Sequence, residues 1–330
     1  MLPTASVDRA FGALLRLGRH LPALTLEGQA LGPARRAALR RLVTRHRPVV
    51  DDLSPLIVEG DLEAIAAYDA LMTEAMGELR RHDAGGVVGA LGQLDRRTLL
   101  PREEYCDRDD CPPDERRHIL AFIDWLNEHL GSYPLWRELL GDDLRPVSDR
   151  APRLLDLAAG PGGFMLSLKE RLGDAIEATA SDVYEEYLTM GRAEADRRGL
   201  DVDFIVQDAT DLRPLAADAY DVIVCTQSIH HFSPGMVGRL AGEAARRAGR
   251  AVWLIDAERS LLAAGLVGLV AAGRGRSWPV VHDTVVSLRK MYAEEELALM
   301  GALTPGLPPG ARVSTGRRAP GFAYLRIGLG

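Results

Sequence analysis

Apolar positions follow two different rhythms along the chain, and the change falls near Arg150. Before it, apolar residues recur every three to four positions. Phe11, Leu14, Leu15 and Leu17 do so with Arg9, Arg16 and Arg19 on other faces, the pattern of an amphipathic helix. Asp61 stands where an N-cap would open a helix through about Arg81, in which Ala66, Leu71, Met72 and Met76 recur; Asp83-Ala-Gly-Gly breaks it. Pro112 and Pro113 with Asp114 and Glu115 open a further helix. Ile119, Leu120, Phe122, Ile123, Leu126 and Leu130 form its stripe, and Gly131 closes it.

After Arg150 short apolar runs alternate with helical stretches. RLLDLAA (153–159), EATASDV (177–183), DFIVQDA (203–209), YDVIVCT (220–226) and RAVWLID (250–256) read as strands. Helices are expected over about 163–172, 184–198 and 234–248, and two closing strands from Val313 to the end. Such alternation predicts βαβ units and an α/β fold, a mostly parallel sheet with helices on both faces. The expected organisation is therefore an all-helical region over 1–150 and a sheet domain over 151–330, packed together without a flexible linker.

Composition narrows the function classes. With 330 residues, 47% hydrophobic and 26% charged, the chain has the balance of a globular protein able to bury a full core. Three cysteines do not make a disulfide framework. Cys106 and Cys111, without a second pair or nearby histidines, are poor zinc ligands, so no metal is expected; Cys225 is expected in the core. The net charge of -7 gives no global field for nucleic acid. It is unevenly spread: nine arginines face two acids in residues 1–50, and eleven arginines face 23 acids in residues 51–150. A basic helix lying against the acidic segment behind it accounts for that asymmetry. Asp8, Arg9 and Arg16 interrupt the first apolar stretch, and Leu261–Ala272 is too short to span a bilayer. A cytoplasmic protein without membrane partner is expected.

The candidate chemistry begins at Leu154-Leu-Asp-Leu-Ala-Ala-Gly-Pro-Gly-Gly-Phe164, where a strand ends in a glycine-rich turn and a helix starts. Glycines let a ligand approach the backbone, and such a loop alone serves NAD, FAD or S-adenosylmethionine (SAM). Asp156 stands ahead of the glycines, unlike the usual dinucleotide fingerprint. Asp182 follows Gly160 by 22 residues, at a strand end where a carboxylate accepts ribose hydroxyls. Asp208-Ala209 ends the third strand run, where an adenine edge is read.

These residues resemble the class I SAM-dependent methyltransferases, over roughly residues 105–330. LLDLAAGPGG is similar to their first motif, ASDVYEEYL to the second acidic strand, VQDATDL to the adenine contact and YDVIVCTQSIHHF to the fourth strand and its loop. SIHHF, LIDAERS and HDTVVSLRKMYAEEEL resemble small-molecule enzymes of quinone and polyketide-tailoring type. The resemblance implies a Rossmann-like seven-stranded sheet, SAM as cofactor and S-adenosyl-L-homocysteine (SAH) as product. Asp156, Ala158 and Gly160 would then lie near the amino-acid part of SAM, with Gly162 shaping the turn. Asp182, followed by Val183, would hold the ribose, Asp208 and Ala209 the adenine, and Gln227 the methionine side. Ala158 departs from the family glycine.

For chemistry, His231, His230 and His282 are the candidate general bases, the last paired with Asp283. Arg259 reads as a structural ion pair, and the apolar Leu261–Val270 stretch as core, dimer face or pocket wall. The expected activity is methyl transfer to a small, fairly apolar acceptor, at oxygen, in secondary or quinone-like metabolism; a homodimer is open. The alternatives are a peptide or protein acceptor, a SAM fold repurposed for other chemistry or for binding, and a nicotinamide oxidoreductase.

Overall fold

The structure, a computed structural model, describes residues 26–81, 84–275 and 277–330. The expected helix around Phe11–Leu17, and Asp83 of the expected break, lie outside the described residues. Three helices come first: α1 (Leu26–Glu59), α2 (Leu62–Arg80) and α3 (Gly86–Arg97). Asp61 does cap α2, its carboxylate accepting from Ala64 N at 2.8 Å. A short turn (Tyr105–Asp107) leads into α4 (Pro113–Leu130), which ends on left-handed Gly131 (φ 72°), and α5 (Ser132–Leu140).

The alternating half follows as β1 (Arg153–Asp156), α6 (Gly163–Leu172), β2 (Glu177–Asp182), α7 (Glu185–Arg198), β3 (Asp203–Val206) and β4 (Tyr220–Thr226). Then come α8 (Pro234–Arg247), β5 (Ala248–Ala257), α9 (Leu261–Val270), α10 (Trp278–Lys290), α11 (Glu294–Ala302), β6 (Arg312–Arg318) and β7 (Phe322–Gly328). The seven strands form one sheet in the order β3-β2-β1-β4-β5-β7-β6, with only the β5–β7 and β6–β7 pairs antiparallel. The expected seven-stranded, mostly parallel Rossmann-like architecture is thus present.

Side chains alternate across the sheet, as strand geometry requires. Leu155, Ile223, Cys225, Val252 and Leu254 share one core with α1, α2, α8 and α11. Leu154, Val222, Val224, Trp253 and Ile255 face the other, with α5, α6 and α7. Both faces are covered, which is why these strands read as continuous apolar runs. One core cluster runs from α1 and α2 into the sheet, so the change of rhythm near Arg150 does not divide two cores. Among the described residues no helix is long and apolar enough to cross a membrane.

Charge seats the helices. Arg259, just past β5 and fully enclosed, binds Asp95 of α3 (3.0 and 3.1 Å) and Glu296 of α11 (2.7 and 2.8 Å). Asp95 also takes Arg35 of α1 and Arg289 of α10, and Glu296 takes Arg80 of α2. Burial alone would push both carboxyls up; the arginines outweigh it and hold both below the usual carboxylate range. The arginine-rich helix therefore does lie against acids, and Arg259 is structural.

Asp95→Asn is expected to destabilise the fold by about 3–5 kcal/mol, the usual cost of breaking a buried ion pair, read by denaturant unfolding at pH 7. Because the folded-state carboxyl is depressed, its stabilisation is present above the unfolded value of about 3.9 and is lost as pH falls below it. The gap between wild type and variant should narrow below about pH 4; a gap unchanged into acid would contradict the assignment.

Candidate active site

Strand order reverses beside β1, since the chain goes from β1 outward through β2 to β3 and then returns to place β4 on the other side of β1. Ligands of open parallel sheets bind outside the strand ends at such a point. There Asp156 ends β1, Asp182 ends β2 and Thr226 ends β4. The loop between β1 and α6 is pinned by Leu157 N to Val224 O (2.8 Å) and Ala159 N to Ser181 O (2.8 Å). Asp182 holds it from beneath, accepting from Gly160 N (2.8 Å) and Tyr184 N (3.0 Å). Gly160 is left-handed (φ 56°), and a Cβ there would project into open space. Gly162 (φ 75°) has a different duty: a Cβ would meet Phe204 Cε1 at 2.9 Å and Ala180 at 3.0 Å.

Two non-glycine residues of the site adopt the left-handed region, Ala158 (φ 50°) and Gln227 (φ 54°), a conformation costing roughly 1–2 kcal/mol. Each is held there by neighbours. Ser228 Oγ donates to Ala158 O (2.8 Å); Gln227 N donates to Ile255 O, and its Oε1 accepts from Asn127 Nδ2, both at 2.8 Å.

Above the loop lies a cavity of about 1070 Å³, roofed by α4 and walled by the turn 105–107, α9 and α10. One end is the glycine loop with Asp156 and Asp182. The other is apolar, faced by Phe122, Leu126, Val267, Val280, Leu288 and Met291. Asp156 is enclosed, with Oδ1 unpartnered and Oδ2 3.3 Å from Thr226 Oγ1. Burial pushes its pKa well above the usual range, against the Thr226 hydrogen bonds. Burial also raises Asp182, opposed by the backbone N–H groups around it.

Between the two ends stands a histidine pair whose members differ. His230 is almost fully covered (side chain 4% exposed) and His231 is open to the cavity (31%). His230 Nδ1 lies 2.8 Å from Asp256 Oδ2, and its Nε2 lies 3.3 Å from Glu104 Oε1. Burial disfavours its charge, but Asp256 and Glu104 prevail and push its pKa up to about 10. His230 is then an imidazolium at neutral pH with no lone pair to offer, which removes it as a general base. His231 is anchored through Nδ1 on Asp107 Oδ2 (3.1 Å), with Nε2 4.0 Å from Glu104 Oε1. Lys290 Nζ is 3.2 Å from the same oxygen. Glu104, raised by burial but lowered more by His230, His231 and Lys290, stays well below the usual range.

Of the sequence-derived candidates, Asp156, Ala158, Gly160, Asp182, Val183, Gln227, His230 and His231 all line the cavity, and Gly162 packs beneath the loop. Asp208, Ala209 and His282 do not line it. The exposed Asp208 closes its own turn, accepting from Thr210 N and Oγ1 (both 2.7 Å), and Ala209 is buried in the core under it. His282 bonds Asp283 (2.8 Å), whose carboxylate is engaged by Tyr105 N and Cys106 N (2.6 and 2.9 Å). Asp283 thereby clamps the turn 105–107 onto α10, and His282 stands beside it outside the cavity lining. The apolar stretch of α9 divides: Ala263 and Val267 line the cavity, while Leu262, Leu266 and Leu269 face outward. Sequence reading missed Glu104, Asp107, Thr226, Lys290 and Asn127. Only Asn127 carried a signal, a polar residue one turn beyond Ile123 on an otherwise apolar stripe.

The donor set fits SAM. The cofactor is cationic at sulfur and at its amino group, and the loop end offers an enclosed carboxyl with a free oxygen at Asp156. Asp182 has lone pairs left for hydroxyls, and the backbone at Gly160 is open to close approach.

Residues 154–250 match the family model described as "Methyltransferase domain". Over 123 residues the chain is 31% identical to a ubiquinone/menaquinone biosynthesis C-methyltransferase UbiE of Rhodopseudomonas palustris, covering 35% of this chain and 49% of that protein. It is 37% identical over 86 residues to a demethylmenaquinone methyltransferase of Thermus thermophilus, covering 26% and 38%. The chain spans about half the length, or less, of these curated relatives. Among solved structures, the plantazolicin methyltransferase BpumL in complex with SAH superposes with a TM-score of 0.50 at 13% identity, covering 72% of this chain and 96% of that one, a likeness of fold.

Asp182→Ala should weaken SAH binding by about 1–3 kcal/mol, the cost of leaving hydrogen-bonded polar groups unpaired, measured by calorimetry. Unchanged affinity would take Asp182 out of the site.

Proposed function

We propose, for a chain whose residues 154–250 form a class I SAM-dependent methyltransferase domain, that it moves a methyl group from SAM to a small, largely apolar, hydroxylated acceptor. One observation carries this reading: a single cavity is lined by the glycine loop, by an apolar set from α4, α9 and α10, and by His231. When bound, SAM supplies an electrophilic methyl carbon on a sulfonium. Charge disperses as the methyl leaves, so the chain's task is to orient the acceptor and keep water out. The walls from α4, α9 and α10 do the second, and holding two reactants in line is worth up to about 7–11 kcal/mol.

His231 is the side chain that meets the acceptor hydroxyl. Its Nδ1 is fixed on Asp107, its Nε2 lies 4.0 Å from Glu104 and its side chain lines the cavity, whereas His230 is locked between carboxylates. Loss of the hydroxyl proton makes a ring acceptor nucleophilic at its oxygen and at the adjacent carbon. One curated relative is named a ubiquinone/menaquinone biosynthesis C-methyltransferase and the other a demethylmenaquinone methyltransferase, which supports a quinone-like ring as acceptor without fixing the atom. Asp208, Ala209 and His282 have no part in this proposal.

Incubation of the full chain with methyl-13C SAM and source-cell extract should label one apolar metabolite, whose methyl carbon shift tells carbon from oxygen attachment. Label confined to a protein fraction would overturn the acceptor class. His231→Ala should lower turnover by about 10²–10⁴-fold, the range for a group acting on a proton in flight, with SAH affinity nearly unchanged. Equal loss of both would make His231 a packing residue.

A further inference from the structure

Two histidines and a carboxylate of the cavity lining converge on one point. One ring nitrogen each of His230 and His231 and one carboxylate oxygen of Glu104 all lie within 4.8 Å of one another. The Glu104 oxygen is 3.3 Å from the first and 4.0 Å from the second. Metal–ligand bonds of about 2.0–2.1 Å at tetrahedral angles place ligand atoms roughly 3.3 Å apart. His230 meets that spacing as it stands, and His231, half open to the cavity, closes the remainder by a small ring movement.

The surroundings have the form of a metal shell. Each ring is held through its other nitrogen by an acid: His230 Nδ1 by Asp256 (2.8 Å) and His231 Nδ1 by Asp107 (3.1 Å). Both Nε2 atoms are thereby aimed at Glu104, the carboxylate–histidine arrangement that orients imidazole ligands. His230 Nε2 is fully buried and finds no aligned hydrogen-bond acceptor despite its nearness to Glu104. Glu104 is itself buried, and its counter-charge is supplied by His230 and Lys290, at 3.3 and 3.2 Å, in whose place a compact cation can stand.

We propose that Glu104, His230 and His231 bind a divalent first-row cation of the zinc type, with the fourth position open to the cavity. Two imidazoles and one carboxylate suit zinc, cobalt or iron(II) better than magnesium or calcium. This rests on the methyltransferase reading and changes one role within it: with the cation bound, His231 Nε2 is a ligand rather than a base, and the open position takes the acceptor's hydroxyl oxygen. The cation replaces the proton on His230 Nε2, and the hydroxyl's own proton passes to water at the cavity mouth. Lys290, 3.2 Å from the same Glu104 oxygen, competes for that carboxylate and swings aside when the cation binds.

The full chain, stripped with a chelator, is titrated with Co²⁺ and followed by visible absorption. One equivalent should give the band of a low-coordinate cobalt site, displaced by Zn²⁺. Glu104→Gln and His231→Asn should each abolish it, Asp107→Asn should weaken binding by about 10–100-fold, as loss of an orienting partner does, and Lys290→Met should tighten it. SAH affinity and circular dichroism, measured on the same samples, show that the variants are folded and the cofactor site intact. No band at millimolar cobalt, or equal binding by wild type, Glu104→Gln and His231→Asn, overturns the cation site. Lost SAH binding in the wild type overturns the methyltransferase reading instead.

Discussion

A charge taken out of water has to meet its opposite, and this chain buries many. Arg259, Asp95 and Glu296 are each almost wholly enclosed, and every one is answered by a partner on a different element. Because Asp95 lies on α3, Glu296 on α11 and Arg259 just past β5, satisfying the charges fixes where those elements sit. Arg35, Arg80 and Arg289 extend the knot to α1, α2 and α10. A buried pair adds little to stability against an apolar substitute, but a broken one is expensive. The effect is to permit one arrangement of helices on the sheet, the one that closes the cavity.

The same rule operates inside the cavity. Asp256 at the end of β5 and Glu104 before α4 hold His230 between them, so the histidine pair sits at a fixed place relative to the glycine loop. Left-handed backbone at Ala158 and Gln227 adds a local cost, held by Ser228, Ile255 and Asn127. Strain of this kind persists only where surroundings over-determine it and is concentrated at functional sites. Here both strained residues line the ligand cavity at the point where strand order reverses.

Much of the sheet was legible in advance, because buried parallel strands announce themselves as apolar runs between helices. β4 (Tyr220–Thr226) and α6 (Gly163–Leu172) have the expected bounds, and β3 stops at Val206, short of the expected residue 209, since Gln207 and Asp208 turn the chain. Acids at strand ends were also readable, with one lesson. Asp156 and Asp182 line the cavity, whereas Asp208 spends its carboxylate on its own turn, a local competition that spacing does not reveal. Glu104 and Asp107 were hidden for the opposite reason. They sit in an acid-rich stretch resembling a solvated loop, and only the fold carries that stretch about 125 residues forward in sequence to meet His230 and His231. Likewise the outward face of α9 was indistinguishable from its cavity face while both were simply apolar.

Helix α4 and the loops at the sheet's strand ends line one cavity. Amide hydrogen exchange of the full chain with and without SAH tests it most directly. Protection should be gained together at residues 156–163, at 182–184 and along α4 at 119–130. Protection limited to the sheet loops, with α4 exchanging as before, would contradict it.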